Sequence, residues 1–175
     1  QSLSTLKRWH SDGHKITLAC NISARHLQNY DLPGFIGQIL KQFNIEPKYL
    51  ELELTESVLM EDIEVGLTIC RELGELGVNI ALDDFGTGYS SFKYLSQLPI
   101  NTLKIDRSFV WNMGDKQNDA VIGSIISLAQ TLHIKTVAEG IETEQQLSLL
   151  REKKCDIGQG FYFSKPVSAD TLETL

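Results

Sequence analysis

The chain has 175 residues, of which 42% are hydrophobic, enough for one globular domain with a substantial buried core. Its 16 basic and 23 acidic residues leave a net charge of −7, which argues against duplex nucleic acid or an anionic membrane surface as a partner. No apolar run approaches the roughly 20 residues that span a bilayer, and no basic stretch followed by an apolar one opens the chain, so the segment reads as making no direct membrane contact.

Leu3, Leu6 and Trp9 open the chain at helical spacing, with no strand before them. The first run rich in β-branched and aliphatic residues is Lys15 to Ile22, with Asn21 near its end. Asp31 and Pro33 then stand ahead of a helix whose Phe35, Ile36, Ile39, Leu40 and Phe43 recur three and four apart. A second strand is expected over Tyr49 to Leu54, containing Glu53. A third, Val78 to Leu82, is entered through the turn glycine Gly77 and runs into Asp83 and Asp84. Thr102 to Ile105 is the fourth and carries Lys104. An amphipathic helix through Val121, Ile122, Ile125, Ile126, Leu128, Ala129 and Leu132 leads to a fifth, Lys135 to Ala138, followed by Glu139. Thr143 and Gln146 have capping-box spacing. The weakest strand, Asp156 to Gln159, is expected to have Gly158 at its helix-to-strand turn, and a last helix starts near Ser168.

Strands alternating with helices over short links give an α/β fold, a parallel sheet covered by helices, either an open doubly wound sheet or a closed barrel. The strands show little polar alternation, which predicts burial on both faces. A polar, chemically competent residue stands at or just past each strand end, and in a (β/α) barrel all those ends open on one face. The lack of a GxGxxG or GxxxxGK[ST] fingerprint after the first strand points the same way. The strand ends recur about every 28 residues, so the chain accounts for about six of the eight strands of a TIM-type barrel. The incomplete side is expected to be the N-terminal one, and the sheet edges left there invite pairing into a homodimer.

Asn21, Glu53, Asp83 and Asp84 offer hard oxygen donors, the set that magnesium, manganese or calcium prefers over zinc. Successive strand side chains point to opposite faces, so both aspartates reach one centre only if the backbone leaves strand geometry there, a turn that Gly86 and Gly88 permit. The alternative is that the two aspartates cap the next helix. Lys104 serves either as an ion-pair partner in a carboxylate-rich mouth or to orient water and steady phosphate charge. Glu139 and Glu142 have the placement of general-base or outer carboxylates, with a helix start as the alternative for Glu142. Glu56 reads as a loop brace. Most of Phe161, Tyr162 and Phe163 read as core packing, with base stacking open to one of them. His10, His14, His26 and His133 lack metal-ligand spacing and none is assigned to a metal. Cys20, Cys70 and Cys155 lack a CxxC spacing and read as reduced packing residues of a cytoplasmic protein.

With these residues in place, NIS at 21–23, ELTES at 53–57, DDFGTGYSS at 83–91, LKID at 103–106, AEGIET at 138–143 and QGFYFSKP at 159–166 closely resemble the EAL domain family. The resemblance implies a barrel that hydrolyses cyclic di-GMP to linear pGpG with two Mg2+ or Mn2+ ions. By it Asn21, Glu53, Asp83 and Asp84 are metal ligands, Asp83 and Asp84 being shared by the ion pair, and Lys104 positions the hydrolytic water. Glu139 is a metal-shell or general-base carboxylate, Glu142 and Gln159 complete the site, and Glu56 holds the DDFGTGYSS loop. The Glu-Ala-Leu tripeptide that names the family, whose glutamate is a metal ligand, does not occur in the sequence, nor does the arginine that follows it. Both are expected upstream, so this segment is expected to be weak or inactive and its parent active. The competing readings are a receptor or protein-binding scaffold of the same fold, and, more remotely, an unrelated metal-dependent barrel such as a lyase acting on a carboxylate sugar. Sensory or GGDEF domains, and inner-membrane anchors for a cytoplasmic catalytic part, are the neighbours the family implies.

Overall fold

The computed structural model describes residues 2–29, 31–86 and 92–173. They fall into two compact units, Gln1–Thr102 and Leu103–Leu175. The first runs α1 (Ser2–Ser11), β1 (Leu18–Ile22), α2 (Ala24–Asn29), α3 (Leu32–Phe43), β2 (Leu50–Thr55), α4 (Glu56–Glu61), α5 (Ile63–Glu75), β3 (Asn79–Phe85) and α6 (Phe92–Leu95). β1 pairs with β2 and β2 with β3, both in parallel.

The leucines of β2 decide which way its sheet faces. Leu50, Leu52 and Leu54 are at most 2% exposed and, two apart, share one face; Ile80 and Leu82 of β3 sit opposite Leu52 and Leu54 and extend it. Helix α5 packs on β3 and buries Ile69, Cys70 and Leu73, while α3 packs on α5 and buries Ile36 and Leu40. Each such side chain contributes about 1.5–3 kcal/mol of transfer free energy. Phe35, counted in the apolar stripe of α3, lies outside it and is 54% exposed.

Local punctuation follows the sequence, with one shift. Asp31 Oδ1 accepts the Gly34 N–H at 3.0 Å, so Pro33 sits within the first turn of α3 and not ahead of it. Gly77 adopts φ +86° in the turn between α5 and β3, as expected of a residue that must enter the left-handed region.

Burial on both faces does not hold for β1. Leu18, Cys20 and Ile22 are half-buried while Ala19 and Asn21 are exposed, because among the described residues β1 has β2 on one side and its Asn21 face is uncovered.

The second unit comprises β4 (Thr102–Ile105, entered from the last residue of the first unit), α7 (Arg107–Trp111), α8 (Lys116–Thr131), β5 (Lys135–Ala138), α9 (Glu144–Glu152), β6 (Ile157–Gly158) and α10 (Ala169–Leu172). Its strand order is β4-β5-β6, with β5 and β6 parallel through Val137↔Ile157 and Ala138↔Gly158. Every residue of β4 is buried, in keeping with the predicted two-sided cover. Helix α8 packs on β5 and buries Ile122, Ile125, Ile126 and Ala129, with Val121 left outside. The Thr143–Gln146 capping box is present at α9.

Gly158 is not a turn residue: it lies inside the two-residue β6. A Cβ there would come within 2.7 Å of Ile141 Cδ1, so the glycine answers to close packing. Asp156, just before it, accepts both the N–H and the Oγ1–H of buried Thr136 at 2.8 Å, which ties the start of β6 to β5. Among the described residues no helix is long and apolar enough to cross a membrane.

Candidate functional site

In a parallel ladder, paired residues send their side chains to the same face. Asn21 is paired with Glu53, Glu53 with Ala81 and Thr55 with Asp83. Asn21, Glu53 and Asp83 therefore share the sheet face opposite the leucines, with Asp83 two residues, roughly 6.6 Å, further along. Glu53 and Asp83 are each 9% exposed, whereas Asn21 is exposed.

The chain breaks strand geometry at Asp84 itself. Its φ is +54°, an aspartate in the left-handed region, and its N–H donates to Asp83 Oδ1 at 3.0 Å. Gly86 follows at φ +94°; Gly88, with the rest of the DDFGTGYSS run from 87 to 91, lies outside the described residues. The departure from the strand expected here is present, and it starts at Asp84, two residues before Gly86.

Glu56, at the start of α4, is 2% exposed; its Oε2 accepts the Gly86 N–H at 3.2 Å, and its Oε1 is buried with no hydrogen-bond partner among the described residues. Burial, and then the charge of Glu53, push the Cys20 thiol above its ordinary pKa.

These donors suit a hard cation in kind. Two buried carboxylates and a carboxamide on one face form an all-oxygen set, and a buried carboxylate is costly unless something charged or hydrogen-bonding offsets it. The set is not complete by itself: among the described residues no three His, Cys, Asp or Glu side chains form a group able to hold a metal ion. None of the four histidines belongs to such a group. His10 Nε2 lies 2.9 Å from the Ile16 carbonyl, and His133 is a turn residue at φ +58°.

In the second unit, Lys104 Nζ lies 2.7 Å from Glu139 Oε1, with side chains 7% and 19% exposed. The backbone under Glu139 is held on both sides: its N–H donates to the Ile105 carbonyl at 3.1 Å, and the Ala138 carbonyl accepts from Gln159 at 2.9 Å. A cavity of about 220 Å³ beside it is lined by Arg107, Trp111, Glu139, Glu142, Gln159 and Phe161. Glu142 and Gln159 are exposed.

Phe161, Tyr162 and Phe163 are 57%, 41% and 52% exposed, so the expectation that most of them pack in a core is corrected. The segment is held through its backbone, with Gly160 close against the backbone of Ile141 and the Tyr162 N–H donating to the Ile141 carbonyl at 2.9 Å, while the three rings face outward. Sequence reading also missed Arg107 and Trp111, which share the cavity. Their i, i+4 spacing just after LKID was the available signal.

A model of the EAL domain family matches residues 1–166. The chain belongs to the EAL domain family. It is 44% identical to the cyclic di-GMP phosphodiesterase NbdA of Pseudomonas aeruginosa over 96% of its length and 22% of that protein. With the cyclic di-GMP phosphodiesterase PdeR of Escherichia coli the identity is 35%, over 95% of this chain and 25% of PdeR. The chain thus spans about a quarter or less of these curated relatives. Among solved structures, the PaMucR phosphodiesterase in complex with c-di-GMP superposes with a TM-score of 0.93 at 39% identity, over 97% of this chain and 70% of that one. The EAL domain of Mycobacterium smegmatis DcpA gives 0.92 at 37%, over 98% and 78%. The fold is accordingly α/β and of the TIM-barrel type that EAL domains share, with six strands among the described residues.

Proposed function

We propose that this EAL chain supplies most of the catalytic domain of a phosphodiesterase that cleaves cyclic di-GMP to the linear dinucleotide. The observation that carries the reading is the register of β1, β2 and β3, which brings Asn21, Glu53 and Asp83 to one sheet face with both carboxylates buried. Family membership and the names of the relatives supply the substrate class.

Asn21, Glu53, Asp83 and Asp84 would hold two magnesium or manganese ions. Such ions supply neutralisation of phosphodiester charge and a lowered pKa for bound water. The chain's own contributions follow from its geometry. The Glu53 and Asp83 carboxylates are buried on one sheet face, a setting that a bound cation would offset. Glu56 braces the start of the 83–91 loop through the Gly86 N–H. In the second unit Lys104 holds a fixed positive charge, aligned by Glu139, to orient an attacking water or steady developing phosphate charge. Glu142 and Gln159 complete the polar lining on that side.

The domain is read as continuing upstream into the strand that carries the Glu-Ala-Leu glutamate, which would supply the ligand this set lacks. Upstream sensory or GGDEF domains, a cytoplasmic catalytic part and homodimer pairing belong to the same reading.

The test is incubation of the full-length polypeptide with cyclic di-GMP and Mg2+, followed by chromatography for pGpG. Turnover that disappears in Glu53→Ala and Asp83→Ala is the expected result. Binding without any linear product would replace the enzyme with a receptor of the same fold.

A further inference from the structure

We propose that Trp111 is a positioning residue for the Glu139 carboxylate, acting through the hydrogen bond from its indole Nε1–H to the Gly140 carbonyl. The proposal rests on the reading of Lys104 and Glu139 as part of phosphodiester hydrolysis.

Trp111 closes α7 with 49% of its surface exposed, so core burial does not explain an indole there. Its Nε1 lies 3.1 Å from the Gly140 carbonyl oxygen. One turn earlier on the same helix, the Arg107 guanidinium sits 5.0 Å from the centre of its ring and steadies the indole from that side.

Gly140 is pressed against this pair. Its φ is +72°, and a Cβ would lie 2.6 Å from Arg107 Cβ and 3.3 Å from Trp111 Nε1. A residue with that φ and no side chain is the natural hinge of the turn that follows β5.

Two peptide planes, one on each side of the Glu139–Gly140 pair, are both clamped at each end. In the plane joining Ala138 to Glu139, the carbonyl accepts from Gln159 at 2.9 Å and the N–H donates to Ile105 at 3.1 Å. In the plane joining Gly140 to Ile141, the N–H donates to the Gln159 carbonyl at 3.0 Å and the carbonyl accepts from Trp111. Of these four anchors, the one made by a side chain is Trp111. Glu139 lies between the two planes, so its carboxylate direction depends on both, and 2.7 Å contact with Lys104 leaves little slack. Without the indole N–H one end of the second plane is released, and the glycine hinge gives it room to swing.

The test is Trp111→Phe in the full-length polypeptide. This variant keeps the aromatic face for Arg107 and loses the donor. Expected are a kcat for cyclic di-GMP lower by roughly two- to tenfold, the range spanned by one net hydrogen bond, with KM within about twofold and an unchanged melting temperature. Trp111→His, which restores a ring N–H, should recover part of the loss. The amide of Ile141 should exchange with solvent faster in Trp111→Phe than in wild type. Unchanged kcat with unchanged Ile141 exchange overturns the proposal, as does a loss confined to melting temperature. If wild type shows no turnover, the phosphodiesterase reading fails by itself, and the exchange comparison still decides whether Trp111 holds the Glu139 turn.

Discussion

The Lys104–Glu139 pair carries a stability prediction whose size follows from its geometry. At 2.7 Å the mutual attraction is about 6 kcal/mol at an effective dielectric constant of about 20, most of it offset by the cost of taking both groups out of water. Removing one partner takes this contact from the other in a buried setting, and the two removals are not equivalent. Lys104 is the deeper group at 7% exposure, against 19% for Glu139, which reaches solvent more readily. Glu139→Leu should therefore cost about 3–5 kcal/mol, and Lys104→Met about 2–3 kcal/mol. The double variant, with no stranded charge, should return to within about 1–2 kcal/mol of wild type. Urea unfolding followed by circular dichroism, with m unchanged across the set, gives the three values and a coupling energy of at least about 3 kcal/mol. Single variants that each cost under about 1 kcal/mol and combine additively would refute the account, since they would mean the two charges are effectively solvated.

Cys70 predicts an alkaline loss of stability. Burial alone pushes its thiol from 9.0 up to about 12; between those values the unfolded chain releases the proton while the folded one keeps it. Stability from this group is thus complete below pH 9 and falls by up to about 1.4 kcal/mol per pH unit as the pH rises towards 12. Cys70→Ala should flatten that limb of the pH–stability curve, and an identical slope in the variant would show that the thiol is not its source. Gly160→Ala puts a Cβ onto the carbonyl oxygen and amide nitrogen of Ile141, backbone that cannot step aside. A loss of about 1–3 kcal/mol is expected, with the Tyr162 amide, bonded to Ile141 at 2.9 Å, losing its exchange protection; a silent substitution would show that the close approach is not maintained in solution.

The sequence by itself determined the class of fold and the identity of the donors. Strands at 102–105 and 135–138 coincide with the runs that predicted them, because a short run rich in β-branched and aliphatic residues between turn formers has few other ways to bury itself. The capping box at Thr143 and the Asp31 cap were equally legible, since each depends on residues within a single turn. Glu53, Asp83, Lys104 and Glu139 were recognisable as strand-end polar residues for the same local reason.

Tertiary structure decided the rest. Parallel register, set by leucines seeking one face, put Asn21, Glu53 and Asp83 on the other; no window of sequence contains that pairing, because its partners are about thirty residues apart. The left-handed turn at Asp84, the exposure of the Phe161–Phe163 run and the seat of Trp111 against Gly140 depend on which backbone passes beside which. Such contacts lie outside periodicity and propensity, which describe a chain only against its own near neighbours.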